Sequence, residues 1–123
     1  MPTITVVEAN LLNSGDLSWD ALEQLGQLTL FGETTQEQLL EQAAGAEVLV
    51  VNKMQLNQEV LDQLPALQLL CEAATGYNNI DLRAATSREI PVCNVPDYGT
   101  LAVAQHTFAL LTQLTNHVAL HNQ

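Results

Sequence analysis

The residues best placed for chemistry lie in loops that follow predicted strands, because doubly wound sheets bind ligands outside the carboxyl ends of their strands. The loop after the fourth predicted strand, residues 73–79, contains Thr75 and Gly76. Glycine permits a positive φ angle, and successive N–H groups around it can point at an anion. Lys53, beside Asn52, follows the third strand and would add positive charge. This pattern predicts a carboxylate site, although an ordinary strand-to-helix turn has the same composition.

The loop after the fifth predicted strand, residues 95–100, is a second candidate. Gly99 and Thr100 can cap the helix that follows, which leaves Tyr98 free to project across a cleft. Tyr98 could equally cover the sheet edge, and Asp97 could cap the helix or act on a ligand.

The sequence gives little support for a metal site or a nucleotide-binding site. His117 and His121 have the i, i+4 spacing of two ligands on one helix, but no third ligand has suitable spacing, so a solvated helix end is predicted. The sequence contains no G-x-S-x-G, G-x-G-x-x-G or P-loop motif. The chain therefore has no predicted metal site and no dinucleotide or triphosphate cradle of its own.

Composition narrows the class of partner. The chain of 123 residues has 14 acidic and 3 basic residues, a formal charge of −11, and 47% hydrophobic residues. Such a surface repels phosphate backbones and anionic lipid, so neither nucleic acid nor a membrane surface is an expected partner. Cys71 and Cys93 lie in apolar runs without a ligand motif and are predicted to be free thiols in a reducing compartment. With no signal peptide and no long apolar run, a cytoplasmic location is expected.

Short apolar runs alternate with amphipathic segments along the chain. This alternation predicts an α/β fold, a flavodoxin-like doubly wound five-stranded parallel sheet with the strand order 2-1-3-4-5. The third strand is apolar without alternation, which is typical of a strand covered on both faces. The five strands are predicted at residues 3–7, 28–31, 47–51, 67–71 and 90–94.

Capping residues predict where several helices begin. The first helix is expected to open at residues 14–16. A second should begin at Thr34 or Thr35, with Glu37 placed for a capping box, and a third should begin after Asn57.

A long C-terminal helix follows the flavodoxin-like core, which is predicted to span residues 1–100. The helix, residues 101–123, is apolar around most of its circumference and needs more cover than one sheet face provides. It ends without a stop signal, which indicates either a truncated chain or a helix that pairs with another chain.

Several stretches together resemble the N-terminal substrate-binding domain of the NAD-dependent D-2-hydroxyacid dehydrogenases. Asn52-Lys53 and Tyr98-Gly99-Thr100 look most like the glycerate dehydrogenase and hydroxypyruvate–glyoxylate reductase branch. The matching stretches are residues 64–70, 74–82, 84–85, 88–92, 94–100 and 103–107.

The resemblance implies a substrate and a set of residues that bind it. The substrate would be a small 2-hydroxy or 2-oxo acid, with its carboxylate held by the amides of Thr75 and Gly76. Lys53 and Asn52 would line the same pocket, and Tyr98 would lie near the substrate.

The resemblance also implies what this chain does not contain. Thr100 matches a position at the nicotinamide end of the cofactor, NAD(H) or NADP(H), and Gln105 departs from the commoner Glu. The helix over residues 101–123 would form much of a homodimer interface and lead into the cofactor domain. The family's catalytic Arg, Glu and His and its glycine-rich loop would lie beyond residue 123. The chain alone is therefore expected to bind no cofactor and to be inactive.

The alternative is a free-standing flavodoxin-like module without enzyme activity. A receiver needs an acidic pair after strand one, an Asp after strand three and a Lys after strand five, and residues 8–10, 52–53 and 96–97 do not supply them. Residues 11–15 make a poor phosphate loop for an FMN carrier. A module that persists by self-association through its last helix remains a separate alternative.

Overall fold

The sheet in the computed structural model, which describes residues 1–123, has five parallel strands in the order 2-1-3-4-5. The predicted fold class and strand order are confirmed. Four strands are shorter than predicted, and β2 has the predicted length but begins one residue earlier. Their bounds are β1 Thr3–Val6, β2 Gln27–Leu30, β3 Val48–Val51, β4 Leu69–Glu72 and β5 Val92–Cys93.

Seven helices connect or follow these strands, and most contain only one or two turns. They are α1 Ala9–Leu12, α2 Asp20–Glu23, α3 Leu39–Gln42, α4 Gln58–Asp62, α5 Leu82–Ser87, α6 Thr100–Asn116 and α7 Val118–His121. The predicted cap of α4 is confirmed, because the Asn57 side chain accepts a hydrogen bond from the Val60 N–H at 2.9 Å. Asp81 caps α5 in the same way, accepting from the Ala84 N–H at 3.0 Å.

The helix predicted to open at residues 14–16 is wrong. The segment forms a turn in which Gly15 has a φ of 99°. Asn13 Oδ1 stabilises this turn by accepting from the N–H groups of Gly15 at 2.8 Å and Leu17 at 3.2 Å. Asparagine side chains compete with helix formation in this way. The chain instead forms α1 directly after β1, and α2 begins only at Asp20.

The capping box predicted with Glu37 does not form, because the N-cap residue of α3 is Gln38 and it has no side-chain cap. The Thr35 N–H donates to Gln38 Oε1 at 3.0 Å, and the Thr34 hydroxyl donates to Gln42 Oε1 at 2.6 Å. Glu37 is exposed, and hydrogen bonds from its own backbone N–H and from Thr35 lower its pKa. A turn precedes α3, so the regular helix starts later than predicted.

The largest hydrophobic cluster lies on one face of the sheet, and Ile4 and Val6 of β1 are buried on the other face. Right-handed crossovers running in the same direction place α3, α4 and α5 on the face of this cluster. Leu49 and Val51 of β3 point into this core, whereas Val48 and Val50 are only partly buried. The second face of β3 is therefore covered only in part, less than its apolar sequence predicted. The core comprises Val7, Leu39, Ala43, Leu49, Val51, Leu56, Leu61, Leu64, Leu67, Leu70, Ile80, Ala84, Ala85 and Ile90.

The two cysteines are register partners on β4 and β5. Both are free thiols. The apolar runs around them predict buried side chains, but Cys71 is only half-buried and Cys93 is exposed. Burial raises the pKa of the Cys71 thiol, and the neighbouring Cys93 adds to this effect.

The C-terminal helix has no buried residue. It was predicted to run unbroken to residue 123, but it ends where His117 adopts a left-handed conformation with φ 49° and ψ 44°, and α7 follows. Leu101 is 86% exposed and Phe108 is 66% exposed. None of the helices combines the length and apolar character needed to cross a bilayer.

Candidate functional site

Three loops meet at the carboxyl ends of β3, β4 and β5. We name them the strand-three loop (residues 52–54), the strand-four loop (residues 73–79) and the strand-five loop (residues 94–99). The Asn52 side chain donates to the carbonyl of Ala73 at 3.0 Å and so joins the first two loops. The Asn94 side chain donates to the carbonyl of Thr75 at 2.8 Å and joins the second and third. The structure thus brings Asn52, Lys53, Thr75 and Gly76 to one edge of the sheet, as the strand order requires.

The strand-four loop exposes several backbone donors that the chain does not use, and two of them are at Thr75 and Gly76. The N–H groups of Thr75 and Gly76 donate to no other group in the protein, and both residues are exposed. The Thr75 hydroxyl donates to the carbonyl of Val95 at 2.9 Å, which holds the loop in place. The expected positive φ at Gly76 is wrong, because the loop turns without it. A Cβ atom there would meet only Asn78 Oδ1, at 3.8 Å, so the space beside the Cα atom of Gly76 is open.

The N–H groups of the strand-three loop also point at a carboxylate, which is the side chain of Glu8. Glu8 Oε2 accepts hydrogen bonds from the N–H groups of Asn52 at 2.9 Å, Lys53 at 2.9 Å and Met54 at 3.4 Å. Hydrogen bonds to a carboxylate are roughly twice as strong as neutral ones. The Lys53 side chain remains exposed. An added ligand would therefore meet the side chain of Lys53 and not its backbone.

Glu8 is a residue whose role the sequence did not reveal. It directly follows β1, is only 4% exposed, and adopts a left-handed conformation with φ 59° and ψ 31°. Its N–H donates to the Thr34 hydroxyl at 3.3 Å. A left-handed conformation costs a non-glycine residue about 1–3 kcal/mol unless its surroundings hold it there. The available signal was an acidic residue placed immediately after a buried strand.

Glu72 is a second buried carboxyl group beside this edge. It is 1% exposed, and its Oε2 accepts from Asn79 Nδ2 at 2.8 Å, whereas its Oε1 has no hydrogen-bond partner. Burial raises the pKa of Glu72; the hydrogen bond from Asn79 opposes this effect, and the charge of Glu8 adds to it. Asn79 Nδ2 also donates to the carbonyl of Met54 at 2.9 Å. Burial therefore makes Glu72 easier to protonate in the folded chain than in the unfolded chain.

The strand-five loop is open to solvent. Tyr98 is 72% exposed. Asp97 has a φ of 59°, and its carboxylate lies 3.5 Å from the Thr100 hydroxyl at the start of α6. Gly99 is the N-cap residue of that helix, with no side-chain cap.

No group of three or more His, Cys, Asp or Glu side chains lies close enough to hold a metal ion. The predicted pair His117 and His121 lies where α6 gives way to α7, and His117 is itself the residue that breaks the helix.

The largest cavity is not at the loop-lined edge. It has a volume of about 740 Å³, lies beyond β1 and β2, and is bordered by Asn10, Asn13, Trp19, Leu30 and Gly32 among others. It contains no charged side chain. The chemistry of an anion site therefore favours the strand-four loop, where donors are free, over the larger cavity.

The fold is a doubly wound α/β domain with an open, donor-lined edge at the carboxyl ends of its strands. The sequence profile of the D-isomer specific 2-hydroxyacid dehydrogenase catalytic domain matches residues 6–120. The chain therefore belongs to the D-isomer specific 2-hydroxyacid dehydrogenase family.

Individual relatives agree with this assignment. The chain is 37% identical over 123 residues to hydroxypyruvate reductase of Blautia hydrogenotrophica, an alignment that covers 98% of this chain and 38% of that protein. It is 41% identical over 87 residues to glyoxylate reductase of Pyrococcus furiosus, covering 70% of this chain and 26% of that protein. The structure of an acyclic imino acid reductase in complex with NADPH and D-Arg matches with a TM-score of 0.82 at 23% identity, over 98% of this chain and 39% of that one. The chain thus spans less than two-fifths of the length of these relatives.

Proposed function

We propose that this chain is the substrate-binding part of an NAD(P)-dependent D-2-hydroxyacid dehydrogenase that reduces a small 2-oxo acid such as hydroxypyruvate or glyoxylate. Family membership supports the reaction class, and the names of two relatives support the substrate class. The observation that carries the proposal is the pair of unused N–H groups at Thr75 and Gly76.

The substrate carboxylate is proposed to bind at these two N–H groups. Backbone N–H groups at the end of a strand hold an anion without a large positive charge nearby, which suits a chain with only three basic residues. Lys53 is exposed on the adjoining loop and would add a charge-assisted contact. Asn52 links the two loops, and Tyr98 would cover the outer end of the bound acid.

The cofactor contact is proposed at Thr100, whose hydroxyl lies at the start of α6 on the same edge of the sheet. A bound nicotinamide supplies the hydride in this class of reaction. Residues 1–123 contain no glycine-rich dinucleotide loop. We therefore propose that the parent enzyme uses NAD(H) or NADP(H), and that the chain of 123 residues alone holds and orients the acid without reducing it.

Titration of ¹⁵N-labelled chain with glyoxylate tests the carboxylate site. The amide resonances of Thr75 and Gly76 are expected to shift in a saturable way. Lys53→Gln should weaken binding about tenfold, because a hydrogen bond to a charged group is lost. Arg83→Gln removes an exposed positive charge elsewhere and should leave binding unchanged. Equal weakening by both variants would indicate a nonspecific charge effect, and NADH oxidation by the chain would contradict its inactivity.

We further propose that the chain forms a homodimer through residues 101–123. The exposed apolar residues of α6 need cover, and they include Leu101, Val103, Phe108, Leu110, Leu111 and Leu114. The same observation favours the alternative function, a free-standing self-associating module without enzyme activity. Absence of glyoxylate binding in a chain that still dimerises would favour that alternative.

The location is proposed to be the cytoplasm. The support is that Cys71 and Cys93 are register partners on adjacent strands and yet are free thiols, as in a reducing compartment.

A further inference from the structure

The strand-three loop is held on both sides of its backbone by hydrogen bonds that lead to buried acidic residues. Its three N–H groups donate to Glu8 Oε2. The carbonyls of Asn52 and Met54 accept from Asn79 Nδ2 at 3.4 and 2.9 Å, and the same nitrogen donates to Glu72 at 2.8 Å. Because an amide nitrogen carries two protons, the bonds to Glu72 and Met54 are the principal ones.

Neither acidic residue is placed to touch a ligand at the strand-four loop. Glu8 is 4% exposed and Glu72 is 1% exposed. Their polar contacts are with backbone N–H groups and one side-chain amide. Burying a carboxyl group is costly unless hydrogen bonds compensate it. A leucine at position 72 would continue the apolar core at lower cost, so the particular contribution of Glu72 is its hydrogen bond to Asn79.

We propose that Glu8 and Glu72 are positioning residues for the carboxylate site, because they fix the backbone from which Lys53 reaches the strand-four loop. Glu8 occupies the N–H groups of the strand-three loop, so an incoming carboxylate meets free N–H groups in the strand-four loop, among them those of Thr75 and Gly76. Glu72 acts through Asn79, which joins the strand-three loop to the strand-four loop. This role rests on the proposed carboxylate site.

Amide hydrogen exchange tests, without any ligand, whether Glu8 restrains the strand-three loop. In Glu8→Gln the N–H groups of Asn52, Lys53 and Met54 should exchange about tenfold faster, because a charged acceptor becomes neutral. The amides of β3 and β4 should be unaffected. Glu59→Gln is the matched control, since it removes an exposed carboxylate from α4. Unchanged exchange of the three loop amides in Glu8→Gln would overturn the proposal.

Glu72 is tested by two substitutions that differ in one property. Glu72→Gln retains an oxygen that can accept from Asn79, whereas Glu72→Leu retains only the bulk. Loop exchange should stay near the wild-type rate in Glu72→Gln and rise about tenfold in Glu72→Leu. Equal rates in the two variants would show that the hydrogen bond to Asn79 has no positioning effect.

Chemical rescue provides a readout that a general loss of stability would not produce. Glu8→Ala removes the carboxylate and leaves three N–H groups facing the space, so added formate should bind there and return the loop amide resonances toward their wild-type positions. Sodium chloride at the same ionic strength should not. If Glu8→Ala does not fold, the exchange rates of Glu8→Gln decide the question.

Glyoxylate binding separates this role from the proposed function. If the wild-type chain binds no glyoxylate, the proposed function is overturned, and so is the positioning role of Glu8 and Glu72. Wild-type binding that drops about tenfold in both Glu8→Gln and Glu72→Leu supports the role, since each releases the loop that presents Lys53. Faster loop exchange with undiminished glyoxylate binding overturns the role alone.

Discussion

Asn79 donates a 2.8 Å hydrogen bond to Glu72, and the other carboxyl oxygen of Glu72 is buried without a partner. This arrangement satisfies the carboxyl group only in part, and burial raises its pKa. A carboxyl group whose pKa is higher in the folded than in the unfolded chain binds its proton more tightly when folded. Its contribution to stability is therefore present below the unfolded pKa and is lost as the pH rises through the folded pKa.

The first prediction concerns this pH dependence. The urea midpoint of the wild-type chain should fall as the pH rises from the ordinary glutamate pKa through the raised pKa of folded Glu72, and Glu72→Gln should make that fall shallower. The isosteric amide can still accept from Asn79 and carries no proton to lose. Glu59→Gln should keep the wild-type slope, because its carboxylate is exposed. Identical slopes for the wild type and Glu72→Gln would contradict the assignment.

The second prediction concerns the caps of α4 and α5. Asn57→Ala and Asp81→Ala each remove a side-chain acceptor from a helix N-terminus. Each should lower the free energy of unfolding by about 1 kcal/mol in urea denaturation. Asp62→Ala, at an exposed position at the end of α4, is the control. A loss at Asp62 as large as at the two caps would show that the effect is not due to capping.

The third prediction compares two glycines. At Gly26 an added Cβ would lie 2.3 Å from the carbonyl oxygen of Pro2, whereas at Gly76 it would meet only Asn78 Oδ1, at 3.8 Å. Gly26→Ala should destabilise the chain by about 1–3 kcal/mol because the backbone must shift. Gly76→Ala should leave the thermal midpoint nearly unchanged. A larger loss at Gly76 than at Gly26 would show that the strand-four loop is not as open as described.

The fourth prediction concerns self-association. The proposed homodimer should appear in sedimentation experiments at micromolar concentration. Phe108→Glu and Leu111→Glu should each shift the chain to monomer, since a buried unpaired charge is costly at an apolar interface. Gln105→Glu adds the same charge at a polar position of α6 and should have less effect. A wild-type chain that sediments as a monomer would rule the dimer out.

Much of the fold could be predicted because its signals are local. Apolar runs and turn residues predicted five strands, and the handedness of crossovers then limited their order. Asn57 was recognisable as a helix cap because a cap depends only on its nearest neighbours. The helix predicted at residues 14–16 failed for a similarly local reason, since Asn13 stabilises a competing turn.

The candidate site was only partly predictable because its organisation depends on long-range contacts. The loop with Thr75 and Gly76 follows β4, and Lys53 follows the neighbouring strand β3. The proximity of these residues could therefore be predicted from the strand order. The contact between Glu8 and Lys53 joins residues 45 positions apart through the left-handed conformation at Glu8. No sequence periodicity or motif indicates such a contact. Glu8 can be recognised as a buried acidic residue only once the fold is known.

The two thiols in register on β4 and β5 can report how often this edge of the sheet opens. Cys93 is exposed and Cys71 is half-buried, so an alkylating reagent should modify Cys93 first. Modification of Cys71 then measures how often the last strand separates from its neighbour. The ratio of the two labelling rates would measure how often β5 opens away from β4, without any introduced probe.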